Sequence, residues 1–332
     1  MKNHHKNCNI YKLLEEFEKN HPKEKRPEGV LLKFNKSKLS IEAGDDLTIY
    51  NPTKPIKKGK DRFLLGRVEP LNSESSKVIF FVEDKNDWKV FDHPTLDLQD
   101  PFYIENIQGY QILGGVRTYP DPENVSKIGY ETVFYKYKNC VTELMDPKGA
   151  EPKPFAVSPK RMKDIRLIEL KNGKIAVFTR PQGREAGLGK IAYIEIDTLE
   201  ELAFCIEKAK IIPGIFSDSD WGGANELHLL SNGTIGVLGH IAHFEGLLRH
   251  YYALGFLFNP ATFKVKDLKI LATADQFPSV KAKKSCLGKI LFSGGMVRKN
   301  DGRADLYVGV GDTEAGCIDI ADPFYGMENK MA

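Results

Sequence analysis

Short apolar runs separated by turn-forming residues dominate the chain after Val30. Runs such as LTIY, VIFF, TVFYKY, AYIEI and LKIL are bounded by Asn-Gly, Asp-Gly, Pro and Lys-Asn signals. Strands of a half-buried sheet have this length and are separated by turns of this composition. The pattern therefore predicts an all-β fold from Val30 onward.

Helical periodicity is confined to two segments. Residues 9 to 20 are predicted as an amphipathic helix, and the stretch LEELAFCIEK at 199 to 208 is the second candidate. Because a charged, proline-bearing linker follows the first helix, we interpret residues 1–28 as helix and linker and residues 29–332 as one β domain. The helix could cap this domain or mediate self-association as a homo-oligomer. Its apolar stripe consists of Ile10, Leu13, Leu14 and Phe17.

A unit of polar residue, Gly-containing turn and apolar strand occurs five times. The polar opener precedes the turn glycine by eight or nine residues in every copy, and successive turn glycines lie 50 to 69 residues apart. A fixed offset from a fixed turn places equivalent side chains at one end of equivalent strands, so the openers should converge on one pocket. The repeat predicts a five-bladed β-propeller with a short N-terminal helix. The openers are Asn51, Asp100, Asp164, Asn225 and Ser293.

Composition narrows the function classes. Forty-eight basic and 45 acidic side chains leave a net charge of +3, which argues against a nucleic-acid partner. No apolar run reaches the length of a signal peptide or a membrane span, so no membrane partner is expected. Five scattered cysteines without a C-x-x-C pair indicate reduced thiols and a cytoplasmic location.

Motifs of other chemistries are missing from the sequence. There is no G-x-x-x-x-G-K-[ST], H-E-x-x-H, G-x-S-x-G or EF-hand loop. His240 and His243 are three residues apart, which sends them to opposite faces of a strand. We therefore expect neither a cofactor nor a metal site.

The residues near the blade openings combine carboxylates, amides and cations. Arginine matches phosphate oxygens with a planar pair of donors, and carboxylates and amides bind sugar hydroxyls. This chemistry favours a site for a sugar that carries, or reacts with, a phosphate. The candidates are Asn51, Arg67, Asp100, Arg117, Lys163, Asp164, Arg166, Arg180, Asn225, Glu226, His240 and Asp312.

Several motifs resemble a known enzyme family. IYNPTKPIKKGKDRFLLGRVE, the Asp-Pro step at Asp100, KDIRLIELKNGKIAVFTRP and LYVGVGDTEAG are similar to the inverting β-mannoside phosphorylases of glycoside hydrolase family 130. QGYQILGGVRTYP and WGGANELHLLSNGTIGVLGHIAHF resemble the related β-1,2-mannosyltransferase/phosphorylases of glycosyltransferase family 108. The resemblance covers roughly residues 46 to 320 and implies a five-bladed propeller. Gln99 and Phe102 replace an acidic residue and an arginine of many of the phosphorylases.

The resemblance implies a role for most of these candidates, and the roles of Arg117, Asn225 and Glu226 are inferred from their positions near the blade openings. Asp100 would be the general acid/base, acting on a mannose-containing oligosaccharide with inorganic phosphate, mannose 1-phosphate or GDP-mannose. Substrate binding is expected of Asn51, Arg67, Asp164, Asn225, Glu226 and Asp312. Phosphate binding is expected of Arg117, Lys163, Arg180 and His240.

The predicted mechanism leaves the protonation state of Asp100 open. A phosphorylase needs one acid and cations for phosphate, whereas an inverting hydrolase also needs a carboxylate base for water, for which Glu226 is the candidate. Burial and Asp164 would raise the pKa of Asp100, and Arg67 would lower it.

Besides a phosphorylase and a hydrolase, a third interpretation of the sequence is a propeller that binds carbohydrate without turnover.

Overall fold

The structure, a computed structural model, describes most of the chain and is predominantly β. Within the described ranges, no helix has both the length and the apolar character needed to cross a membrane. The described residues are 10–37, 39, 46–91, 95–122, 127–144 and 153–327.

The first predicted helix is confirmed as α1, Ile10–Asn20, and its apolar stripe is buried. Ile10, Leu13 and Phe17 belong to the same hydrophobic cluster as strands from later in the chain, so the helix is part of the main core. Short 3-10 turns lie at Lys23–Lys25, Leu199–Glu201, Ile206–Lys208, Ala274–Gln276 and Ser285–Leu287.

The strands form successive antiparallel groups, which we number in chain order. Two short strands precede them, β1 (Val30–Leu31) and β2 (Phe34–Asn35). In group 1 the inner strand is split into β3 and β4, which both pair with β5, and β2 pairs in parallel with β7 at the outer edge. Group 1 contains β3 (Leu47–Tyr50), β4 (Ile56–Lys58), β5 (Asp61–Pro70), β6 (Lys77–Asp84) and β7 (Asp87–Val90).

Groups 2 and 3 are four-stranded sheets in which each strand pairs with the next. A short helix, α2 (Cys140–Leu144), follows the third strand of group 2, and α3 (Leu202–Cys205) lies in group 3 within the predicted helical segment. Group 2 contains β8 (Gln99–Ile107), β9 (Tyr110–Pro120), β10 (Ile128–Tyr137) and β11 (Ala156–Val157). Group 3 contains β12 (Arg166–Glu169), β13 (Ile175–Thr179), β14 (Ala192–Ile196) and β15 (Lys210–Ile211).

Groups 4 and 5 are joined into one sheet by a two-residue parallel pairing, His250 with Lys289 and Tyr251 with Ile290. Group 4 contains β16 (Trp221–Leu229), β17 (Ile235–Glu245), β18 (Leu248–Asn259) and β19 (Lys264–Ala272). Group 5 contains β20 (Lys289–Arg298), β21 (Arg303–Val310) and β22 (Glu314–Ala321), and the early strand β1 completes it by pairing with β22.

Each described group contacts the next along the chain, and group 5 contacts group 1. The contacts are β5 with β8, β8 with β12, β12 with β16, β16 with β20, and β22 with β3. Each junction has its own hydrophobic cluster. Representative pairs across these junctions are Leu65 and Leu113, Phe134 and Leu167, Phe178 and Val237, Leu257 and Leu306, and Tyr307 and Phe81.

In groups 1, 2, 4 and 5 the opener of the sequence repeat lies where the first strand is interrupted, and in group 3 Asp164 lies just before β12. Pairing shifts between Gln99 and Phe102 in β8, between Ala224 and Glu226 in β16 and between Ser293 and Gly295 in β20. An interruption of this kind removes backbone groups from the hydrogen bonds between paired strands and changes the direction of a side chain. All five openers are buried: Asn51, Asp100, Asp164, Asn225 and Ser293.

We predict that Phe17→Ala lowers the free energy of unfolding by about 3 kcal/mol, because truncating a buried phenylalanine leaves a cavity. Phe17 is 4% exposed in the core shared with group 4. Urea unfolding measures the change, and the exposed neighbour Glu15→Ala is the control. Equal stability of the two variants would show that the helix does not belong to the cooperative core.

Candidate active site

A pocket of about 270 Å³, which we call the central pocket, takes polar residues from every group. Six cationic side chains and three carboxylates line it, so an anionic ligand is favoured electrostatically. Residues from successive groups include Arg67, Asp100, Lys163, Arg180, His240 and Asp312. The predicted convergence of distant blade openings is thus observed for this subset.

Asp100 is buried and held by two neighbours from group 1. Nδ2 of Asn51 donates a hydrogen bond of 2.7 Å to Oδ1 of Asp100, and a guanidinium nitrogen of Arg67 lies 3.1 Å from the same oxygen. Asn51 and Asp100 both have left-handed backbone, with φ of 47°. Such backbone is costly outside glycine and is concentrated at functional sites. The interruption of β8 therefore serves to aim this carboxylate.

The structure resolves the opposing effects on Asp100. Burial alone would raise the pKa of Asp100, but the charges of Arg67 and Lys163 and the hydrogen bond from Asn51 outweigh it and lower the pKa to about 2. Asp100 is consequently a carboxylate at neutral pH in the ligand-free protein. The carboxylate can accept a proton directly, whereas it can donate a proton only after it has been protonated.

Arg67 is itself fixed by a buried carboxylate. Two of its nitrogens lie 2.8 and 3.0 Å from one oxygen of Glu69, which is fully buried. Glu69 also accepts hydrogen bonds from Tyr50 and Lys283, and the ring of Tyr50 lies beneath the guanidinium. This network fixes the orientation of Arg67 towards Asp100. It also connects Arg67 and Glu69 to Lys283, which lies in a later segment of the chain.

Asp164 lies just beneath the pocket surface rather than on it. Its Oδ2 is 3.5 Å from a nitrogen of Arg180 and 3.9 Å from Nε2 of His240, and the residue is 3% exposed. Burial would raise the pKa of Asp164, but the surrounding cationic groups lower it overall. Asp164 therefore supplies a fixed negative charge that positions Arg180 and His240.

His240 is neutral in this environment. Burial lowers the pKa of His240 to about 3, against the opposing effect of Asp164. The Asn225 side chain lies 2.9 Å from Nδ1 and fixes the ring, which stacks on Tyr251 with 5.5 Å between ring centroids. Asn225 thus acts beneath His240 instead of lining the pocket, in contrast to the predicted substrate contact.

One cation in the pocket, Lys163, lacks a close partner among the described residues, and a second, Arg180, is only partly paired. Arg180 donates to the carbonyls of Gly222 and Leu188 and lies 3.5 Å from Asp164. Among the described residues, Lys163 has no hydrogen bond or ion pair within 4 Å, although Asp164 and Asp100 raise its pKa against the effect of burial. Nη1 of the buried Arg180 makes no hydrogen bond within the same part of the chain. Buried donors without acceptors are costly, so a negatively charged ligand would be stabilised beside Lys163, Arg180 and His240, whose surroundings we call the anion site.

Asp312 is the second carboxyl of the pocket and behaves oppositely to Asp100. Burial raises the pKa of Asp312 to about 6, helped by the charge of Asp100 and opposed by Arg67. Its backbone is also left-handed, with φ of 56°. Two neighbouring carboxyls whose environments separate their pKa values are a common arrangement in acid/base sites.

Arg117 was expected to bind phosphate, but it lies outside the central pocket. Its guanidinium is partly exposed and lies 2.6 Å from Glu131, and it is absent from the pocket lining. Val116 pairs with Gln99, the residue before Asp100, just as Arg67 pairs with Tyr50 before Asn51. Arg117 is one position further along β9, so its side chain is on the other face.

Glu226 was expected to bind substrate or to activate water, but it also lies outside the central pocket. It lines a separate cavity, where it pairs with Lys54, lies 3.3 Å from His228 and accepts a 2.6 Å hydrogen bond from the Met296 amide. These partners outweigh burial and lower its pKa to about 2. The bulge between Ala224 and Glu226 separates the carboxylate from the central pocket.

Arg166 is also absent from the central pocket and lines this separate cavity. Its guanidinium lies over the ring of Phe102, 4.3 Å from the centroid, and donates to the Asn225 carbonyl at 2.6 Å. Gln99 lines the central pocket, while Phe102 does not. Of the two sequence departures beside Asp100, only Gln99 can therefore contact a ligand there.

Several residues that line the pocket or lie beneath it were not predicted. The sequence contains a local signal for Glu69, since it is two residues after Arg67 and therefore lies on the same face of the strand. The sequence contains no such signal for Lys283 and Lys284, because they come from an irregular segment that folds onto the pocket. Within the described ranges, no group of three or more His, Cys, Asp and Glu side chains is arranged to hold a metal ion.

Solved structures of known enzymes share this fold along nearly the whole chain. MPT-1, a GDP-Man-dependent mannosyltransferase from Leishmania mexicana, is 32% identical with a TM-score of 0.80, covering 96% of this chain and 97% of its own. MPT-4, a mannose phosphorylase from the same organism, solved with a phosphate ion, is 30% identical with a TM-score of 0.79, covering 95% and 93%. No curated protein matches the sequence.

A more distant structure shares the fold alone. The β-1,2-mannobiose phosphorylase of Listeria innocua is 13% identical with a TM-score of 0.59, covering 88% of this chain and 95% of its own.

The class defined by these similarities is that of the mannosyltransferase and mannose phosphorylase enzymes. The chain belongs to the family whose model is described as "Protein of unknown function (DUF1861)", which matches residues 29–326.

We predict that Asp312→Asn stabilises the ligand-free protein at about pH 8 by on the order of 2 kcal/mol and has little effect near pH 4. The pKa of Asp312 is raised in the folded state, so its stability contribution is present below about pH 4 and lost as pH rises through about 6. Asparagine stays neutral and tolerates left-handed backbone.

Urea unfolding at the two pH values measures this effect, with the exposed turn residue Asp301→Asn as control. An Asp312→Asn variant that is less stable than the wild type at the higher pH would contradict the assignment.

Proposed function

We propose that the protein is an inverting β-1,2-mannoside phosphorylase and mannosyltransferase, built as a five-bladed β-propeller whose blades are the five strand groups. The observation that carries this proposal is a buried carboxylate, Asp100, facing incompletely paired cations in one central pocket. The similarity to the Leishmania mannose phosphorylase and mannosyltransferase supports the sugar and the reaction class.

The anion site would hold phosphate or the phosphate of an activated mannose. Lys163 and Arg180 supply positive charge, and neutral His240 supplies a ring nitrogen without adding repulsion between cations. Charge-assisted hydrogen bonds from Arg and Lys to phosphate oxygens are stronger than those to neutral oxygens. Phosphate is already a nucleophile, so this site needs no second carboxylate to generate one.

In the direction of synthesis, Asp100 would act as a general base. Its carboxylate accepts a proton from the acceptor hydroxyl, directly or through a hydroxyl of the bound mannose, while the acceptor oxygen forms a bond to the anomeric carbon. The bond from that carbon to the phosphate oxygen breaks, and the leaving phosphate is held by Lys163 and Arg180. Attack opposite the leaving group converts an α-mannosyl phosphate into a β-mannoside.

Phosphorolysis would use the same groups in reverse. A phosphate oxygen attacks the anomeric carbon, the glycosidic bond breaks, and the departing oxygen receives a proton from the Asp100 side, giving α-mannose 1-phosphate. The ligand-free pKa of Asp100, about 2, favours the base role over this acid role. Asn51 and Asp312 are placed to contact sugar hydroxyls in both directions.

An inverting hydrolase is less well supported by this arrangement. It requires a base about 6.5 to 9.5 Å from the acid, with room for water between them. Glu226, the sequence candidate, is committed to Lys54 in a different cavity. The pocket instead concentrates cations, which favour phosphate as the nucleophile.

The proposal predicts that the purified protein, given β-1,2-mannobiose and phosphate, releases mannose 1-phosphate. Asp100→Asn should reduce the rate roughly 10²- to 10⁴-fold while retaining sugar binding, because the amide cannot exchange the proton. Mannose 1-phosphate formation and calorimetric binding of mannobiose provide the two measurements. Arg117→Gln, outside the pocket, should behave like the wild type.

Alternative functions give different outcomes in this assay. Release of free mannose without phosphate would support a hydrolase. Mannobiose binding without any turnover, equal in wild type and Asp100→Asn, would indicate a binding module.

A further inference from the structure

The separate cavity that contains Glu226 and Arg166 has a volume of about 310 Å³ and receives residues from all five groups. In each group these residues begin at the opener or no more than two positions after it. Residues at or before the opener line the central pocket instead, and the two sites share no lining residue. We call this cavity the second cavity. The lining residues that matter below are Lys54, Phe102, Arg166, Leu167, Asn225, Glu226 and Leu227.

Arg166 is the buried cation of the second cavity and is 5% exposed. Its Nε donates to the carbonyl of Asn225 at 2.6 Å, and its Nη1 donates to the carbonyl of Ile165 at 2.9 Å. Burial lowers the pKa of Arg166 to about 10, against the opposing effect of Asp164, so the side chain is still a cation at neutral pH.

Within the described ranges, Nη2 of Arg166 makes no hydrogen bond, and no carboxylate lies within 4 Å of the guanidinium. A buried guanidinium without a nearby counter-charge is unfavourable. A negatively charged ligand in the second cavity would therefore be stabilised by Arg166.

The other buried charges of the second cavity limit the charge of such a ligand. Lys54 and Glu226 form an ion pair, and Glu226 also accepts a hydrogen bond from the amide of Met296. These two charges offset each other, which leaves the single charge of Arg166 in excess. Glu105 also lines the cavity, but its side chain is exposed. A ligand with one negative charge is favoured over a dianion, which would meet repulsion from Glu226.

The remaining walls combine one free donor with apolar side chains. Nδ2 of Asn225 has no hydrogen-bond partner in the described part of the chain, and Asn225 is 2% exposed. A ligand oxygen would supply the acceptor that this buried amide lacks. Phe102, Leu167 and Leu227 provide apolar surface beside these donors. The cavity therefore suits a ligand with a charged end and an apolar body.

We propose that the second cavity is a binding site for a small organic monocarboxylate, with the carboxylate on Arg166 and the apolar part against Phe102, Leu167 and Leu227. Arginine offers planar N–H donors that match carboxylate oxygens, and Nη2 is the donor that is free to do so. This site is independent of the proposed function, because none of its lining residues lines the central pocket.

Occupation of the second cavity would also weaken anion binding in the central pocket. Arg166 is one of the charges that act on Asp164 and His240. It is also bonded to the backbone of Asn225, whose side chain lies 2.9 Å from Nδ1 of His240. A carboxylate on Arg166 offsets this positive charge, so phosphate binding becomes weaker. By linkage, phosphate weakens carboxylate binding by the same factor.

Calorimetric titration of the full chain with benzoate and with benzamide, its uncharged analogue, tests the site. Benzoate should bind roughly tenfold more tightly, because only its carboxylate makes charge-assisted hydrogen bonds to Arg166. Arg166→Met removes the charge but keeps an apolar side chain against Phe102, and it should abolish this preference. Leu227→Phe keeps Arg166 and narrows the cavity, so it should weaken benzoate binding. Lys163→Gln, which removes a cation of the anion site, should bind benzoate at least as tightly as the wild type.

Other results overturn the proposal. Absence of benzoate binding, equal affinity for benzoate and benzamide, or benzoate affinity unchanged in both Arg166→Met and Leu227→Phe would exclude the site. Loss of benzoate binding in Lys163→Gln would assign the carboxylate to the anion site instead. Phosphate affinity should fall roughly fivefold in saturating benzoate, and an unchanged affinity would exclude the coupling between the two sites. None of these measurements requires turnover, so they remain interpretable if the proposed function fails.

Discussion

The contact between Arg67 and Asp100 is the interaction on which the rest of the site depends. A buried carboxylate loses its hydration, and only nearby charge and hydrogen bonds can keep it ionised. Arg67 supplies that charge, but a buried guanidinium needs compensation too, which Glu69 provides at 2.8 Å. Glu69 is compensated in turn by Lys283 from a distant segment. The active-site charge, its orientation and one pocket wall are therefore parts of a single network.

Backbone geometry is the second constraint. Polar side chains reach the central pocket where the first strands of four groups are interrupted, and three openers have left-handed backbone. Close approach then requires small neighbours: a methyl group at Gly309 would overlap the amide of Asn51, and one at Gly223 would lie 2.6 Å from Oδ2 of Asp164. Glycine is needed at these positions because the side chain of the opener occupies the space that a Cβ would fill. The left-handed backbone at the openers is unfavourable, and the packing between groups offsets this cost.

The sequence was sufficient for the strand repeat and for residues that the repeat brings together, because the period of two and the fixed turn offset carry that information. Asn51, Arg67 and Asp100 converge as expected. The sequence failed at Glu226, since a bulge moves one residue to the other side and leaves no signal in the local pattern. It also could not identify Lys283, whose position depends on a nonrepeating loop held by long-range contacts.

The excess of cations around the anion site links ligand binding to the protonation of Asp100. Lys163 and Arg67 are the charges that lower the pKa of Asp100 in the ligand-free protein. A phosphate bound beside Lys163 offsets part of this charge and adds a negative charge near the carboxylate, and both effects raise the pKa. By thermodynamic linkage, protonation of Asp100 must then strengthen phosphate binding by the same factor. Under the proposed function, bound phosphate would bias Asp100 towards the acid needed for phosphorolysis, and its absence would bias Asp100 towards the base needed for transfer.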